Sequence, residues 1–263
     1  MTNAPIGMGE QNQAEREMFE NELTRILEAS DRANINLRVI GSLAFQMHCP
    51  SYGYLQAALG RAYTDIDFAG YKKETKEIKD LMFSLGYEDD REVFIVSEGY
   101  RSIFHKTNST LHVDVFYDKL DFCHLISWNG RLEVDKPTIP LAEMVLEKMQ
   151  IFKINEKDII DTIMLLLEHP LGKVDHETIN IARIAQLCAK DWGLWRTTTL
   201  NLEKVSAMAQ SYTVLNSDQK AHVTAQVNQA LEQIEVEPKS VGWKLRARVG
   251  ERVKWYKDVD EVC

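Results

Sequence analysis

The sequence predicts an α+β protein: a mixed β-sheet flanked by helices, followed by an all-α C-terminal domain. Three observations predict it. Short apolar runs of strand length recur between residues 37 and 117. From Pro140 onward they give way to longer segments with broad apolar faces at helical spacing. Turn residues punctuate the first half at Gly41, Gly86, Glu98-Gly99 and Asn129-Gly130. The change of class near residue 136 sets the expected division. A flexible tail covers 1–13, an α+β domain 14–135 and a helical domain 136–263.

Each element has its own signal. Phe19, Leu23, Ile26, Leu27 and Ala33 give an amphipathic helix over 14–34. Leu37 to Ile40 is a short buried strand. Gly41 permits a tight turn, and Ser42 caps a helix through Met47. Pro50 and Gly53 end that helix, and Tyr54 to Leu59 forms a short extra one closed by Gly60. Residues 63–69 are a strand, and Glu74 to Leu85 a helix with Gly86 at its C-terminal cap. Glu92 to Val96, Arg101 to Lys106 and Leu111 to Tyr117 read as strands, and Asn129-Gly130 as a hairpin turn. Helices are expected over Leu141 to Phe152, Asp158 to Glu168, His176 to Ala189, Leu200 to Ser211 and Asp218 to Ile234. Asn216-Ser217-Asp218 offers caps to the last of these. Val241 to Lys257 closes the chain as a basic helix.

Composition narrows the function classes. Of 263 residues, 44% are hydrophobic, a globular content, and no apolar run is long enough to span a bilayer. The polar start of the chain carries no basic-then-apolar signal pattern. Cys49, Cys123, Cys188 and Cys263 lack metal-ligand spacing, so reduced thiols in a cytoplasmic protein are expected. A net charge of −9 argues against nonspecific nucleic-acid binding as the main task.

Chemistry concentrates in three stretches. Asp65 and Asp67 alternate with Ile66 and Phe68, so on a strand both carboxylates point to one face. Asp114 stands between Val113 and Val115 on a second strand. If the strands are neighbours, the three carboxylates converge, and their mutual repulsion calls for a cation. Oxygen-only donors suit a hard ion such as Mg²⁺. Gly41-Ser42, at a strand-to-helix turn, offers a place for phosphate.

A Gly-Ser turn, then Asp-x-Asp, then a third Asp on a later strand resembles the nucleotidyltransferase superfamily, the polymerase-beta-like fold. The stretch from Leu146-Glu147-Lys148 through Asp161 resembles the helical part of AbiEii-type toxins and small antibiotic-modifying nucleotidyltransferases. The resemblance covers roughly residues 14–168 and departs in one respect: 22 residues separate Ser42 from Asp65, longer than is usual. It implies two Mg²⁺ ions held by Asp65, Asp67 and Asp114, and transfer of a nucleoside monophosphate from an NTP to an acceptor hydroxyl. Ser42, with the backbone around Gly41, would hold the β- and γ-phosphates. Lys148 would be a phosphate ligand, and Asp161 has open roles: to orient Lys148 or Lys157, or to cap the helical packing. Arg61 has two open roles, a phosphate ligand or a counter-charge to the acidic strand.

The acceptor, a small molecule such as an antibiotic, a tRNA or a protein, would lie between sheet and helices. A toxin paired with an antitoxin is one form of this reading. The contrasting reading is a catalytically silent nucleotide-binding or interaction module of the same fold. Outside these stretches, Asp118 and Asp121 read as surface turn residues, and the scattered histidines as structural. His112 is the exception, because it shares a strand face with Asp114. Trp192, Trp195, Trp243 and Trp255 are expected to fill the helical core.

Overall fold

The computed structural model describes residues 7–59 and 64–259, with side chains from residue 16 onward. Residues 1–6 of the expected tail, and Gly60 and Arg61, fall outside the described residues. Within them the chain is helical from Gly7, earlier than expected: α1 is Gly7–Arg32. The chain divides into two compact units. One comprises Met1–Ala44, Gly60–Lys119 and Trp128–Ile139; the other comprises Phe45–Leu59, Leu120–Ser127 and Pro140–Cys263.

The first unit is built on a mixed five-stranded sheet. In chain order its strands are β1 (Arg38–Ile40), β2 (Ile66–Gly70), β3 (Tyr87–Asp89), β4 (Arg101–Lys106) and β5 (His112–Tyr117). In space the order is β1-β2-β5-β4-β3. Only β2 and β5 run parallel; the other neighbours are antiparallel. The parallel pair lies at the centre, and its apolar residues Ile66, Phe68, Val113 and Val115 are all fully buried. The residues between them in sequence carry the carboxylates, which is the alternation a half-open sheet requires.

Helix α2 (Gly41–His48) leaves β1 directly, so Ser42 lies inside its first turn rather than ahead of it. The short helix α3 is Tyr54–Ala58. Helix α4 (Thr75–Ser84) covers the apolar face of the sheet through Ile78 and Met82. Ile78 comes so close to Gly70 that a Cβ added there would meet its Cδ1 at 3.0 Å. Gly86, at φ +83°, ends α4 as expected.

Two expected elements differ. Glu92 to Val96, a β-branched run, is not a strand but helix α5 (Arg91–Val96). The Asp90 side chain accepts hydrogen bonds from the Glu92 and Val93 amides, so a cap decides the conformation over β-propensity. Asn129-Gly130 makes a turn, with Gly130 at φ +66°, but it does not join two paired strands. Instead β6 (Lys119–Asp121) pairs with β7 (Leu125–Ser127), ahead of that turn.

The second unit is helical: α6 (Leu141–Met149), α7 (Glu156–Glu168), α8 (Ile181–Lys190), α9 (Trp192–Ser211), α10 (Ser217–Val236) and α11 (Val241–Val249). Every residue of α6 is buried, which makes it the central helix of this core. Polar side chains fix the helix starts. Asn155, Asn180, Asp191 and Ser240 each cap one, and Asn216 with Gln219 forms a capping box on α10. The last helix is shorter than expected. Gly250, at φ +59°, breaks it, and the described residues beyond Arg252, 253–259, are not helical. The tryptophans form a linked set rather than a buried core. Trp192 is buried, while Trp195, Trp243 and Trp255 are half-buried. Their ring centroids lie 5.1–5.9 Å apart in successive pairs. Among the described residues no helix is long and apolar enough to cross a membrane.

Candidate active site on the carboxylate face of the sheet

Strand register assembles this site. Ile40 pairs with Asp67 across β1–β2, and Asp67 pairs with Asp114 across β2–β5. Paired residues on neighbouring strands share a face, so Asp67 and Asp114 stand side by side. Asp65, just before β2, is two residues from Asp67 and half-buried like it. Gly41 follows Ile40 immediately and therefore sits against Asp67. A Cβ added to Gly41 would collide with the Asp67 carboxylate, and would lie 3.2 Å from its Cγ. Gly41 also holds φ at +69°, a left-handed conformation that side chains other than glycine's disfavour. Both facts require glycine here. The turn thus brings the first residues of α2, including the buried Ser42, to the end of the strand that carries the acidic pair.

Asp114 is the most enclosed of the three carboxylates, at 5% exposure. Its partner is Arg101 on β4. Arg101 Nε donates to Oδ2 at 2.8 Å and to Oδ1 at 3.1 Å, and Nη2 donates to Oδ2 at 2.5 Å. The guanidinium also lies 5.2 Å from the centre of the Phe116 ring. Burial pushes the Asp114 carboxyl above its ordinary range, and Arg101 pulls it back only in part. Burial alone would lower Arg101. The hydrogen bonds and charge of Asp114, joined by the charges of Asp67 and Asp65, more than offset this and hold it firmly cationic.

Arg101 is the member of the site that sequence reasoning missed. Its strand was legible, but its closeness to Asp114 depends on register. Ile103 pairs with Asp114 across β4–β5, and Arg101 is two residues earlier on the same face. His112 also shares that face and is half-buried, as expected from its place on β5.

The donor set of this face, carboxylate oxygens from Asp65, Asp67 and Asp114, is chemically suited to a hard divalent cation. Among the described residues, Arg101 brings a guanidinium to this face and pairs it with Asp114. Among the described residues no three His, Cys, Asp or Glu side chains are grouped so as to hold a metal ion.

Arg61 is outside the described residues. Lys148 belongs to the helical unit, on α6, and is buried. Its Nζ lies 3.2 Å from Glu147 Oε1, 3.2 Å from Asp158 Oδ1 and 3.6 Å from Asp161 Oδ2. It also sits 5.2 Å from the centre of the Phe45 ring. Asp161, fully buried, accepts a further hydrogen bond from Gln56 at 2.9 Å. Of the roles open to Asp161, the structure shows the contact with Lys148, as part of a network of carboxylates around one lysine.

Comparison with family models, with curated proteins and with solved structures finds no match to this chain.

Proposed function

We propose that the chain is a metal-dependent nucleotidyltransferase that moves a nucleoside monophosphate from an NTP to an acceptor hydroxyl. One observation carries the reading: the β1–β2–β5 register sets the Gly41-Ser42 turn, Asp67 and Asp114 at one place on the sheet. A phosphate cradle next to paired carboxylates is what transfer at an α-phosphate needs.

Each residue has a role in this reading. Asp65 and Asp67 would hold two Mg²⁺ ions together, and Asp114 the ion nearer the acceptor. When bound, Mg²⁺ neutralises charge on the α-phosphate and on pyrophosphate. The amides at the start of α2 and the Ser42 hydroxyl would hold the β- and γ-phosphates. Asp114 would take the proton of the acceptor hydroxyl as its oxygen bonds to the α-phosphorus. The bond from α-phosphorus to the β-bridging oxygen breaks, and pyrophosphate leaves. Lys148 remains a proposed phosphate ligand, and a cytoplasmic location would supply the NTP.

The acceptor class is open to a direct test. The protein is incubated with each α-³²P NTP, Mg²⁺ and a cell extract. Label entering a small molecule, RNA or protein names the acceptor. If the chain is a toxin, co-expression of its neighbouring gene product should suppress the labelling. Absence of transfer with all four NTPs would count against the reading.

A second reading has its own observation. The grip of Arg101 on Asp114 favours a silent nucleotide-binding module, because the third carboxylate is already satisfied. In that case NTP binds and no label moves.

A further inference from the structure

Resting on the nucleotidyltransferase reading, we infer that Arg101 is a built-in counter-cation that a divalent ion must displace from Asp114, so that metal and nucleotide bind cooperatively. Arg101 takes both carboxylate oxygens of Asp114, the two atoms a metal would need. The pair is unequal in freedom. The Asp114 side chain is 7% exposed and fixed in mid-strand, while that of Arg101 is 26% exposed and reaches the site from a neighbouring strand. The guanidinium is the half able to leave. Asp65 and Asp67 add two further carboxylates to the same face.

Displacing Arg101 costs its hydrogen bonds and its ion pair unless it gains another anion. A triphosphate is such an anion. The planar guanidinium, with donors arranged as a fork, suits phosphate oxygens as well as carboxylate oxygens. A nucleotide that takes Arg101 frees Asp114 for metal, and a metal that takes Asp114 frees Arg101 for nucleotide. By linkage the two effects are equal in size. Neither ligand alone overcomes the pair as readily as the two together. The free protein is thereby kept from filling its site with a divalent ion in the absence of substrate.

The test uses Mn²⁺ as the metal, followed by the electron paramagnetic resonance signal of the free ion. Wild type, Arg101→Gln, Arg101→Lys and Asp67→Ala are titrated with and without α,β-methylene-ATP. The expectation is that Arg101→Gln binds Mn²⁺ alone about tenfold more tightly than wild type, a change of about 1.4 kcal/mol. The enhancement by nucleotide should shrink in the same variant. Arg101→Lys keeps the charge but not the fork and should fall between; if Arg101→Gln does not fold, it carries the comparison with wild type. An Arg101→Gln protein that binds Mn²⁺ alone no more tightly than wild type overturns the inference. In that event the nucleotidyltransferase reading still stands if wild type binds Mn²⁺ with nucleotide and Asp67→Ala does not. Lack of Mn²⁺ binding by every form, with or without nucleotide, overturns both.

Discussion

A side chain at position 41 would have to occupy the space of the Asp67 carboxylate in a backbone conformation that only glycine adopts freely. Gly41→Val is therefore expected to damage both fold and site. Ser42→Ala removes at most one hydrogen bond to a charged group, worth roughly 1.5–3 kcal/mol of nucleotide affinity. Thermal melting and calorimetry with a non-hydrolysable NTP separate the two. Equal losses from both changes would mean that the turn is no phosphate cradle. Asp65→Ala and Asp67→Ala remove carboxylates from a crowded acidic face. Both should retain the metal-free melting temperature while losing transfer, and a variant with normal turnover would remove its residue from the site. Much of this was legible because Asp-Ile-Asp alternates with strand period, and Gly-Ser ends an apolar run. Arg101 was not legible. Nothing in Arg101-Ser-Ile-Phe says which strand will lie beside it, and the register that sets it against Asp114 is a long-range outcome.

At the scale of elements, the edge of the sheet is tied to α1 through one carboxylate. Glu22 accepts hydrogen bonds from Arg25, Lys106 and Tyr87, each between 2.5 and 3.2 Å. Burial alone would raise its pKa, but these three partners together lower it to about 2 from an ordinary 4.5. A depressed carboxylate contributes stability that is complete above its ordinary value and is lost as pH falls toward the folded value. Glu22 should thus supply roughly 2 kcal/mol at neutral pH, fading between about pH 5 and 2. Urea unfolding of Glu22→Gln across that range is expected to show a deficit at pH 7 that closes at low pH. A deficit independent of pH would assign the loss to packing instead.

The C-terminal helix gives a second element-scale case. Its basic character was plain in the sequence, but its length was not, because Gly250 in a left-handed turn ends it early. Arg246 donates to the carbonyls of Gly250 and Val253, each at 2.6 Å, and lies 4.6 Å from the Trp192 ring centre. Beyond it the chain folds back, with Trp255 donating to Thr197, the Lys257 amide donating to the Cys123 carbonyl, and Tyr256 stacked on Phe152. Arg246 thus anchors this end of the chain, whereas Arg248 and Arg252 are exposed. Arg246→Gln should cost about 1–2 kcal/mol of stability. Arg248→Gln with Arg252→Gln should stay within about 0.5 kcal/mol. Thermal melts decide. The opposite order, with RNA binding lost in the double variant, would recast this segment as an arm for a nucleic-acid acceptor. Helix α5 shows the reverse limit of sequence reading. Glu-Val-Phe-Ile-Val has strand propensity, and the single cap at Asp90 overrules it.

Across the whole molecule, the change from mixed sheet to helices was visible as a change of hydrophobic period, and the fold follows it. The division into units was less visible, since residues 45–59 and 120–127 group with the helices although they lie within the stretch that reads as α+β. Such grouping depends on contacts between residues far apart in sequence. The proposal for the first unit is that its carboxylate face would transfer a nucleotidyl group, rather than merely bind nucleotide or hydrolyse it. The most direct measurement runs the cell-extract reaction in parallel with α-³²P and γ-³²P NTP, with Mg²⁺, for wild type and Asp67→Ala. The account predicts that α-label enters the acceptor, that γ-label leaves as pyrophosphate, and that Asp67→Ala does neither. Acceptor labelled from the γ position, α-label transferred equally by Asp67→Ala, or bound nucleotide with no transfer at all would contradict it.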